Sequence, residues 1–184
     1  MVKSYIAWRI IMDDKALFKL ASGLFLLTAK TDKDNGCIIN TVLQVTASPI
    51  RIVTVVNKNN YTHNMIKETG NFNVSVLSET APMDLYKKFG YASGRDTDKF
   101  NGYSSVVRSE NGLLYLTEYS NAYISGKVIE EKDLGTHTLF IADVTAAQVL
   151  SDTASATYEY YQKNVKPAPE ISNANNSGFI CTIC

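Results

Sequence analysis

The chain alternates short runs of β-branched and aromatic residues with turn signals, a pattern typical of an antiparallel sheet or barrel. Asp32 to Gly36 predicts a hairpin turn between the first two strands, with Asn35-Gly36 supplying positive φ. Seven runs predict strands, at Leu24–Ala29, Cys37–Thr46, Arg51–Val56, Asn71–Leu77, Leu113–Glu118, Ala122–Glu131 and His137–Val149. Helical patterns are few and fall at Asp14–Ser22, Thr62–Thr69, Pro82–Phe89 and Thr157–Val165. The pattern therefore predicts a mainly β domain with a few short helices.

The second predicted strand carries an uncharged polar face. Alternation puts residues on two faces, with Asn40, Val42, Gln44, Thr46 and Ser48 on one and Ile39, Thr41, Leu43, Val45 and Ala47 on the other. A face exposed simply to water usually carries Lys and Glu, whereas neutral amides and hydroxyls suit recognition of a polar or phosphorylated ligand. Ordinary polar decoration of a half-exposed strand is the alternative that this pattern leaves open.

The composition of the 184 residues is that of a globular domain, with 45% hydrophobic and 20% charged residues. Lys plus Arg and Asp plus Glu both number 18, so the formal net charge is zero. A balanced chain without a basic run argues against a nucleic-acid-binding protein, although it leaves room for one local phosphate pocket. No apolar run approaches the length of a membrane span, so a membrane protein is not expected either.

The ends of the chain differ in composition from its body. Residues 1–11 look superficially like a signal peptide, but Arg9 interrupts the apolar part and no small-residue cleavage site follows. A helix start at Met12 predicts that residues 1–11 are an extension and that one domain spans 12–165. Residues 166–178 are rich in Pro, Asn, Ser and Ala, which is linker composition.

The three cysteines, Cys37, Cys181 and Cys184, do not form a disulfide framework. Cys37 begins an apolar run and is interpreted as a small buried thiol. This use of cysteine predicts a reducing, cytoplasmic setting.

Two segments predict an anion site. Residues 57–63 lead from a strand into a helix N-terminus, where free backbone N–H groups and the helix dipole attract anions and Lys58 adds a charge. A plain capped helix after a polar loop is the alternative. In residues 93–100, Gly94 permits close approach of a ligand, Arg95 offers a planar fork and Lys99 offers a second cation. The alternative is a solvated loop in which Arg95 pairs with Asp96 and Asp98 with Lys99.

His137, one of two histidines, follows the turn at residues 133–136 and begins a long strand. It can bond a cofactor edge or a substrate phosphate, or it can be structural. The chain has no Gly-x-Ser-x-Gly elbow, no metal-ligand spacing in its body and no Gly-rich dinucleotide fingerprint. The sequence therefore predicts neither a nucleophilic triad nor a metal site.

Six ordered motifs resemble the flavin reductase family of FMN-binding split-barrel proteins, especially its clostridial-type members. They are GCIINTVLQVT (36–46), VNKNNYTH (56–63), GNFNVSVL (70–77), FGYASGRDTDKF (89–100), GTHTLF (135–140) and TYEYY (157–161). The resemblance covers Met12 to Val165 with few gaps. It implies an antiparallel Greek-key split β-barrel that binds FMN at a homodimer interface.

The resemblance also implies roles for individual residues. The isoalloxazine ring and ribityl chain would lie against Asn40, Thr41, Gln44, Val45 and Thr46. The ribityl and phosphate end would be held by Asn57, Lys58, Tyr61, Thr62, Ser93, Gly94, Arg95 and Lys99. His137 would contact nicotinamide or flavin, in a segment that matches the family's Gly-Asp-His motif except that Thr136 replaces Asp. Thr41 and Val45 can join this site only if the predicted strand bends or ends near them.

The implied function is an FMN-dependent oxidoreductase that takes hydride from NAD(P)H and passes electrons to free flavin, ferric iron or a redox protein such as a rubredoxin. The alternative is a non-enzymatic FMN carrier reduced by a partner protein. At the end of the chain, residues 179–184 with Cys181 and Cys184 resemble the first knuckle of a rubredoxin domain. Two thiolates cannot complete such an iron site, so this segment is expected to be a truncated start or a remnant.

Overall fold

A computed structural model describes residues 13–167 of the chain. The expectations for residues 1–11, for most of the linker and for Cys181 and Cys184 lie outside the described residues. The main sheet contains β1 Phe25–Lys30, β2 Asp34–Ile39, β3 Val42–Ala47, β4 Ile50–Asn57, β5 Asn71–Leu77, β8 Ser120–Asp133 and β9 His137–Val149. Strands β6 Val106–Arg108 and β7 Leu114–Leu116 form a separate hairpin.

The helices are short, as predicted. They are a 3-10 helix at Asp14–Lys19, α1 at Tyr61–Thr69, α2 at Met83–Tyr86 and α3 at Tyr158–Tyr160. Helix α2 continues as a π-helical turn at Lys87–Tyr91, and α3 as another at Tyr161–Val165. None of the helices in residues 13–167 is both long enough and apolar enough to cross a membrane.

The order of strands in the main sheet is β2-β1-β5-β8-β9-β4-β3, and every pairing is antiparallel. The two edge strands, β2 and β3, are joined by only Asn40 and Thr41. Since the opposite edges of the sheet are two residues apart along the chain, the sheet must curl until those edges meet. Strands β2 and β3 are not paired with each other, so the barrel is split there. The predicted antiparallel split barrel is confirmed.

Two local predictions were wrong. The run Cys37–Thr46 is not one strand, because β2 pairs with β1 while β3 pairs with β4, and the chain changes edges at residues 40–41. The hairpin turn lies at residues 31–33 rather than at Asn35-Gly36, which pair inside β2 with Ala29 and Thr28 of β1. Gly36 therefore has no positive φ to supply, and the side chain of Asn35 is buried.

Strand β1 explains why its sequence reads as a continuous apolar run. Phe25 and Leu27 point into the barrel, where they pack with residues of β4, β5, β9 and α1. Leu24 and Leu26 point to the other side, into a second core formed with α2, its π-helical turn, β7 and α3. A strand covered on both faces needs no polar alternation. The second core thus fixes the segment after α2 against the edge of the barrel that β2 forms.

Candidate functional site

A cleft of about 160 Å³ lies between the N-terminus of α1 and the segment that follows α2. Helix α1 packs against β1 and β2, and the π-helical turn packs against β2, so the cleft lies beside the edge strand β2. It is lined by Asn35, Cys37, Asn59, Asn60, Tyr61, Thr62, Gly90, Tyr91, Ala92, Ser93, Gly94 and Lys99. The two segments that predicted an anion site, residues 57–63 and 93–100, therefore meet across one cleft.

Lys99 is buried in this cleft, with only 3% of its surface exposed. Its Nζ donates to the carbonyl oxygen of Gly36 in β2 at 2.9 Å and to that of Phe89 at 3.0 Å. Burial lowers the pKa of Lys99, because the surroundings disfavour its charged form, while its interaction with Cys37 raises it. The alternative in which Asp98 neutralises Lys99 is excluded, since Asp98 Oδ1 instead accepts from the backbone N–H of Phe100.

A buried polar network continues from Lys99 along the cleft. Asn35 Nδ2 donates to Thr62 Oγ1 at 2.9 Å, and the Thr62 side chain in turn hydrogen-bonds the Cys37 thiol. Burial raises the pKa of Cys37, and the contacts with Thr62 and Lys99 oppose that shift. Asn35 Oδ1 has no hydrogen-bond partner among the described residues. A buried acceptor without a donor costs free energy, so the wall of the cleft contains an unsatisfied polar atom at Asn35.

Gly94 approaches this network more closely than any other residue type would allow. A Cβ at position 94 would lie 2.1 Å from Asn35 Oδ1. Its carbonyl oxygen accepts a hydrogen bond from Lys33 Nζ at 2.8 Å, which holds the backbone in place. The close approach that Gly94 makes here is to Asn35, and its approach to a ligand stays a prediction.

The mouth of the cleft is basic. Lys33 Nζ lies 5.2 Å from the centroid of the Tyr61 ring, and the Arg95 guanidinium carbon lies 5.5 Å from it. Lys33 and Arg95 do not line the cleft themselves, but Tyr61 does. Arg95 Nη1 also donates to the carbonyl oxygen of Asn59 at 2.7 Å. Asn60, the N-cap residue of α1, makes no side-chain capping bond. Helix N–H groups left without a cap are available to an anion, and the dipole favours one.

A second group of predicted site residues lies at the end of β4 and the start of β9. Asn57 is paired with His137 across these strands. Lys58 does not line the cleft, and its Nζ forms an ion pair with Asp133 at 2.6 Å. That ion pair and the Gly135 N–H hold the pKa of Asp133 below its usual range.

The third group of predicted site residues lies between β2 and β3, where the barrel is split, and along β3. Thr41 Oγ1 donates to Asn40 Oδ1 at 2.9 Å between β2 and β3. The pairing of β3 with β4 shifts register between Gln44 and Thr46, so that Val45 lies at a bulge. The predicted strand is therefore interrupted at Thr41 and bent at Val45. Such an interruption and bend are what Thr41 and Val45 need in order to face the same ligand as Asn40, Gln44 and Thr46. The side chains of residues 43–47 are exposed on both faces of β3.

The cleft contains residues that the sequence did not single out. Asn35 was missed because Asn-Gly was interpreted as a turn, and Cys37 was correctly predicted to be buried but was not connected to a site. Asn59, Asn60 and the segment from Gly90 to Ala92 lie inside quoted motifs without an assigned role. Within residues 13–167, no group of three His, Cys, Asp or Glu side chains is arranged to hold a metal ion.

The fold and the site together define a split antiparallel barrel with a cleft beside its edge strand β2 that contains a buried lysine and a helix N-terminus. The sequence matches the family model for the flavin reductase like domain over residues 17–169. It is 38% identical to the high molecular weight rubredoxin of Moorella thermoacetica, over 94% of this chain and 81% of that protein. It is also 38% identical to the ferric-chelate reductase (NAD(P)H) of Archaeoglobus fulgidus, over 82% of this chain and 89% of that one.

Among solved structures, the flavoredoxin of Methanosarcina acetivorans is similar in fold, with a TM-score of 0.63 and 25% identity over 76% of this chain and 74% of that one. The chain belongs to the flavin reductase like domain family. The family assignment and the flavin oxidoreductase class predicted from the sequence motifs are confirmed.

Proposed function

We propose that the chain is an FMN-dependent oxidoreductase that takes hydride from NADH or NADPH and passes electrons to a second acceptor. The observation that carries this proposal is that buried Lys99 and the N-terminus of α1 line one cleft, while exposed Arg95 lies against Tyr61, one of the lining residues. A cation buried among carbonyl oxygens is costly without a counter-charge, and a phosphate monoester supplies one.

The residues of the cleft fit the ribityl phosphate end of FMN. The phosphate would be held by Lys99, Arg95, Ser93 and the first-turn N–H groups of α1. Asn35 Oδ1 accepts no hydrogen bond from the described residues, but it is buried against Gly94, so a ribityl hydroxyl would reach it only if the Gly94 loop moved outward. Tyr61, Thr62 and Gly94 would shape the walls.

The flavin ring would lie against the split, where Asn40, Thr41, Gln44, Val45 and Thr46 present uncharged polar groups and backbone. These residues would orient the ring and hydrogen-bond its polar edge without placing a fixed charge beside it. Asn57, Lys58 and His137 lie on adjoining strand ends, and His137 would contact the nicotinamide or the flavin. The flavin itself supplies the capacity to accept hydride and to release electrons, so no side chain needs to act as a nucleophile.

A homodimer is part of this proposal. The outer face of β3, β4 and β9 carries adjacent apolar residues, since Leu43 is paired with Val53, Val53 with Ile141, and Val55 with Leu139. Leu43 is 63% exposed and lies on edge strand β3, at one end of this row. The row ends beside His137, so a second copy covering it would bring its surface to the flavin ring.

For the electron acceptor, we propose only its chemical class. Free flavin, ferric iron and a rubredoxin or other redox protein are the candidates, and a relative named as a high molecular weight rubredoxin favours the protein acceptor. The same relative favours a second candidate function, an FMN carrier that is reduced by a partner protein rather than by a nicotinamide. We place either function in the cytoplasm, where Cys37 would remain a free thiol.

Anaerobic stopped-flow absorbance separates these functions. The FMN-loaded protein is mixed with NADH or NADPH in one series and with a reduced rubredoxin or ferredoxin in another. The oxidoreductase proposal expects the visible flavin band to bleach with a nicotinamide in a single turnover. Bleaching by the redox protein alone would contradict it and would establish the carrier.

A further inference from the structure

The turn that joins β8 to β9 holds His137 against a neighbouring hydroxyl. Thr136 Oγ1 lies 2.8 Å from His137 Nδ1, and the imidazole is half-buried. The backbone of the turn is fixed by two hydrogen bonds, from Leu134 N to the carbonyl oxygen of His137 at 2.9 Å and from Lys58 N to that of Thr136 at 3.0 Å. The contact between Thr136 and His137 is therefore built into a fixed turn.

The charged residues on the adjoining segments are Lys58, which follows β4, and Lys132 and Asp133, which end β8. Asp133 Oδ1 accepts from Lys58 Nζ at 2.6 Å and from Gly135 N at 2.7 Å. The carboxylate is thus engaged with Lys58 and the turn backbone. The group that faces Nδ1 of His137 is a neutral hydroxyl rather than an acid.

A neutral imidazole has one donor and one acceptor nitrogen, and the hydrogen bond made by one nitrogen decides which of them carries the proton. A hydroxyl can rotate to donate, and an unprotonated aromatic nitrogen is a strong acceptor for it. The 2.8 Å contact admits either direction, and donation by the Thr136 hydroxyl to Nδ1 leaves the proton of neutral His137 on Nε2. An aspartate at position 136 would reverse this arrangement, because a carboxylate only accepts and would draw the proton to Nδ1.

We propose that Thr136 is a positioning residue that keeps neutral His137 in the Nε2–H form, so that His137 donates a hydrogen bond to an acceptor atom of the ligand. A carbonyl oxygen of the flavin ring or of the nicotinamide carboxamide has the required chemistry. The inference rests on the proposed function only for the identity of that acceptor.

Nitrogen-15 NMR of the imidazoles tests this directly in the full chain, with and without FMN. The sequence contains two histidines, so the spectra hold two imidazole systems. At neutral pH the wild type and Thr136→Ser are expected to show His137 protonated on Nε2 and not on Nδ1. Thr136→Asp is expected to move the proton to Nδ1. Protonation of Nδ1 in the neutral wild type, or a T136D spectrum equal to that of the wild type, would overturn the proposal.

His63 provides the matched control. Its Nε2 lies 2.8 Å from Thr138 Oγ1, on the strand that His137 begins. Thr138→Val is expected to change the His63 signals and to leave those of His137 in place. The two proposals can fail separately: absence of flavin binding would contradict the proposed function while the tautomer result stands, and ordinary nicotinamide-dependent reduction with an unchanged tautomer in T136D would contradict the role of Thr136 alone.

Discussion

Gly94 lies so close to Asn35 that a methyl group at position 94 would be 2.1 Å from Asn35 Oδ1. Both residues line the cleft, one from the loop after α2 and the other from edge strand β2. Their contact sets how far the loop can close over the barrel edge. The cleft therefore depends on a backbone approach as much as on its charged side chains.

Substitution of Gly94 by alanine tests this approach. Asn35 is buried and bonded to Thr62, so the loop must move outward to admit a Cβ. We expect Gly94→Ala to weaken FMN binding at least tenfold, which corresponds to about 1.4 kcal/mol. Gly90→Ala is the matched control, because its Cβ would meet Ile38 at an ordinary 3.5 Å. Equal FMN affinities of the two variants, measured by fluorescence titration, would contradict the assignment.

Lys99 is expected to stabilise the fold as well as the ligand. Its replacement by methionine leaves the carbonyl oxygens of Gly36 and Phe89 without their donor. We expect Lys99→Met to lower the free energy of unfolding by about 2 kcal/mol, since the loss of two buried hydrogen bonds exceeds the relief from removing a buried charge. Exposed Lys87→Met should change stability by less than about 0.5 kcal/mol. Urea denaturation compares the two, and equal midpoints would refute the structural role of Lys99.

The fold could be predicted from its sequence to the extent that each strand follows a local pattern. His137–Val149 was predicted to the residue, because a long alternating strand leaves little ambiguity. The break at Asn40 and Thr41 was missed, since β-branched residues continue on both sides of it. Only the strand pairing reveals it, because β2 pairs with β1 and β3 pairs with β4. Strand β6 was missed because three residues carry too little periodicity.

In the candidate site, too, the residues marked by a local sequence pattern could be predicted and those placed by tertiary contacts could not. Residues 57–63 and 93–100 were predicted to bind an anion, because a helix start and a Gly-Arg pair are local signals. Asn35 could not be found in this way, since its role depends on its contact with Thr62 and on the position of Gly94. The burial of Lys99 likewise depends on its hydrogen bond to Gly36, which is distant in sequence.

Tyr86 should make the protein sensitive to alkali. Its hydroxyl is buried without a partner among residues 13–167, and burial raises the pKa of Tyr86 to about 12 from its ordinary value of 10.0. In the unfolded chain the phenol ionises first, so the contribution of Tyr86 to stability is full below pH 10 and is lost as the pH rises towards about 12. Tyr86→Phe should lose less stability over this window. At neutral pH it should be at least as stable as the wild type, since no hydrogen bond is lost. Thermal unfolding at a series of alkaline pH values measures this difference. A steeper loss of stability with pH in Y86F than in the wild type would contradict this account.

The apolar outer face of β3, β4 and β9 predicts the oligomeric state. We expect Leu43→Lys to convert the dimer into a monomer in sedimentation velocity, because a charge would then be buried in the interface. Val149→Lys is the control, as Val149 is 72% exposed and lies at the far end of β9. A wild-type monomer, or a dimer that survives L43K, would show that this face does not join two copies.

The central claim is that the cleft beside α1 holds the phosphate end of FMN. Its most direct test is to compare the equilibrium affinities of FMN and riboflavin, which differ only in that phosphate, for the flavin-free protein by isothermal titration calorimetry. Charge-assisted hydrogen bonds from Lys99, Arg95 and the helix N-terminus predict that FMN binds about a hundredfold more tightly. They also predict that most of this preference disappears in Arg95→Ala. Equal affinities of FMN and riboflavin for the wild type would contradict the account.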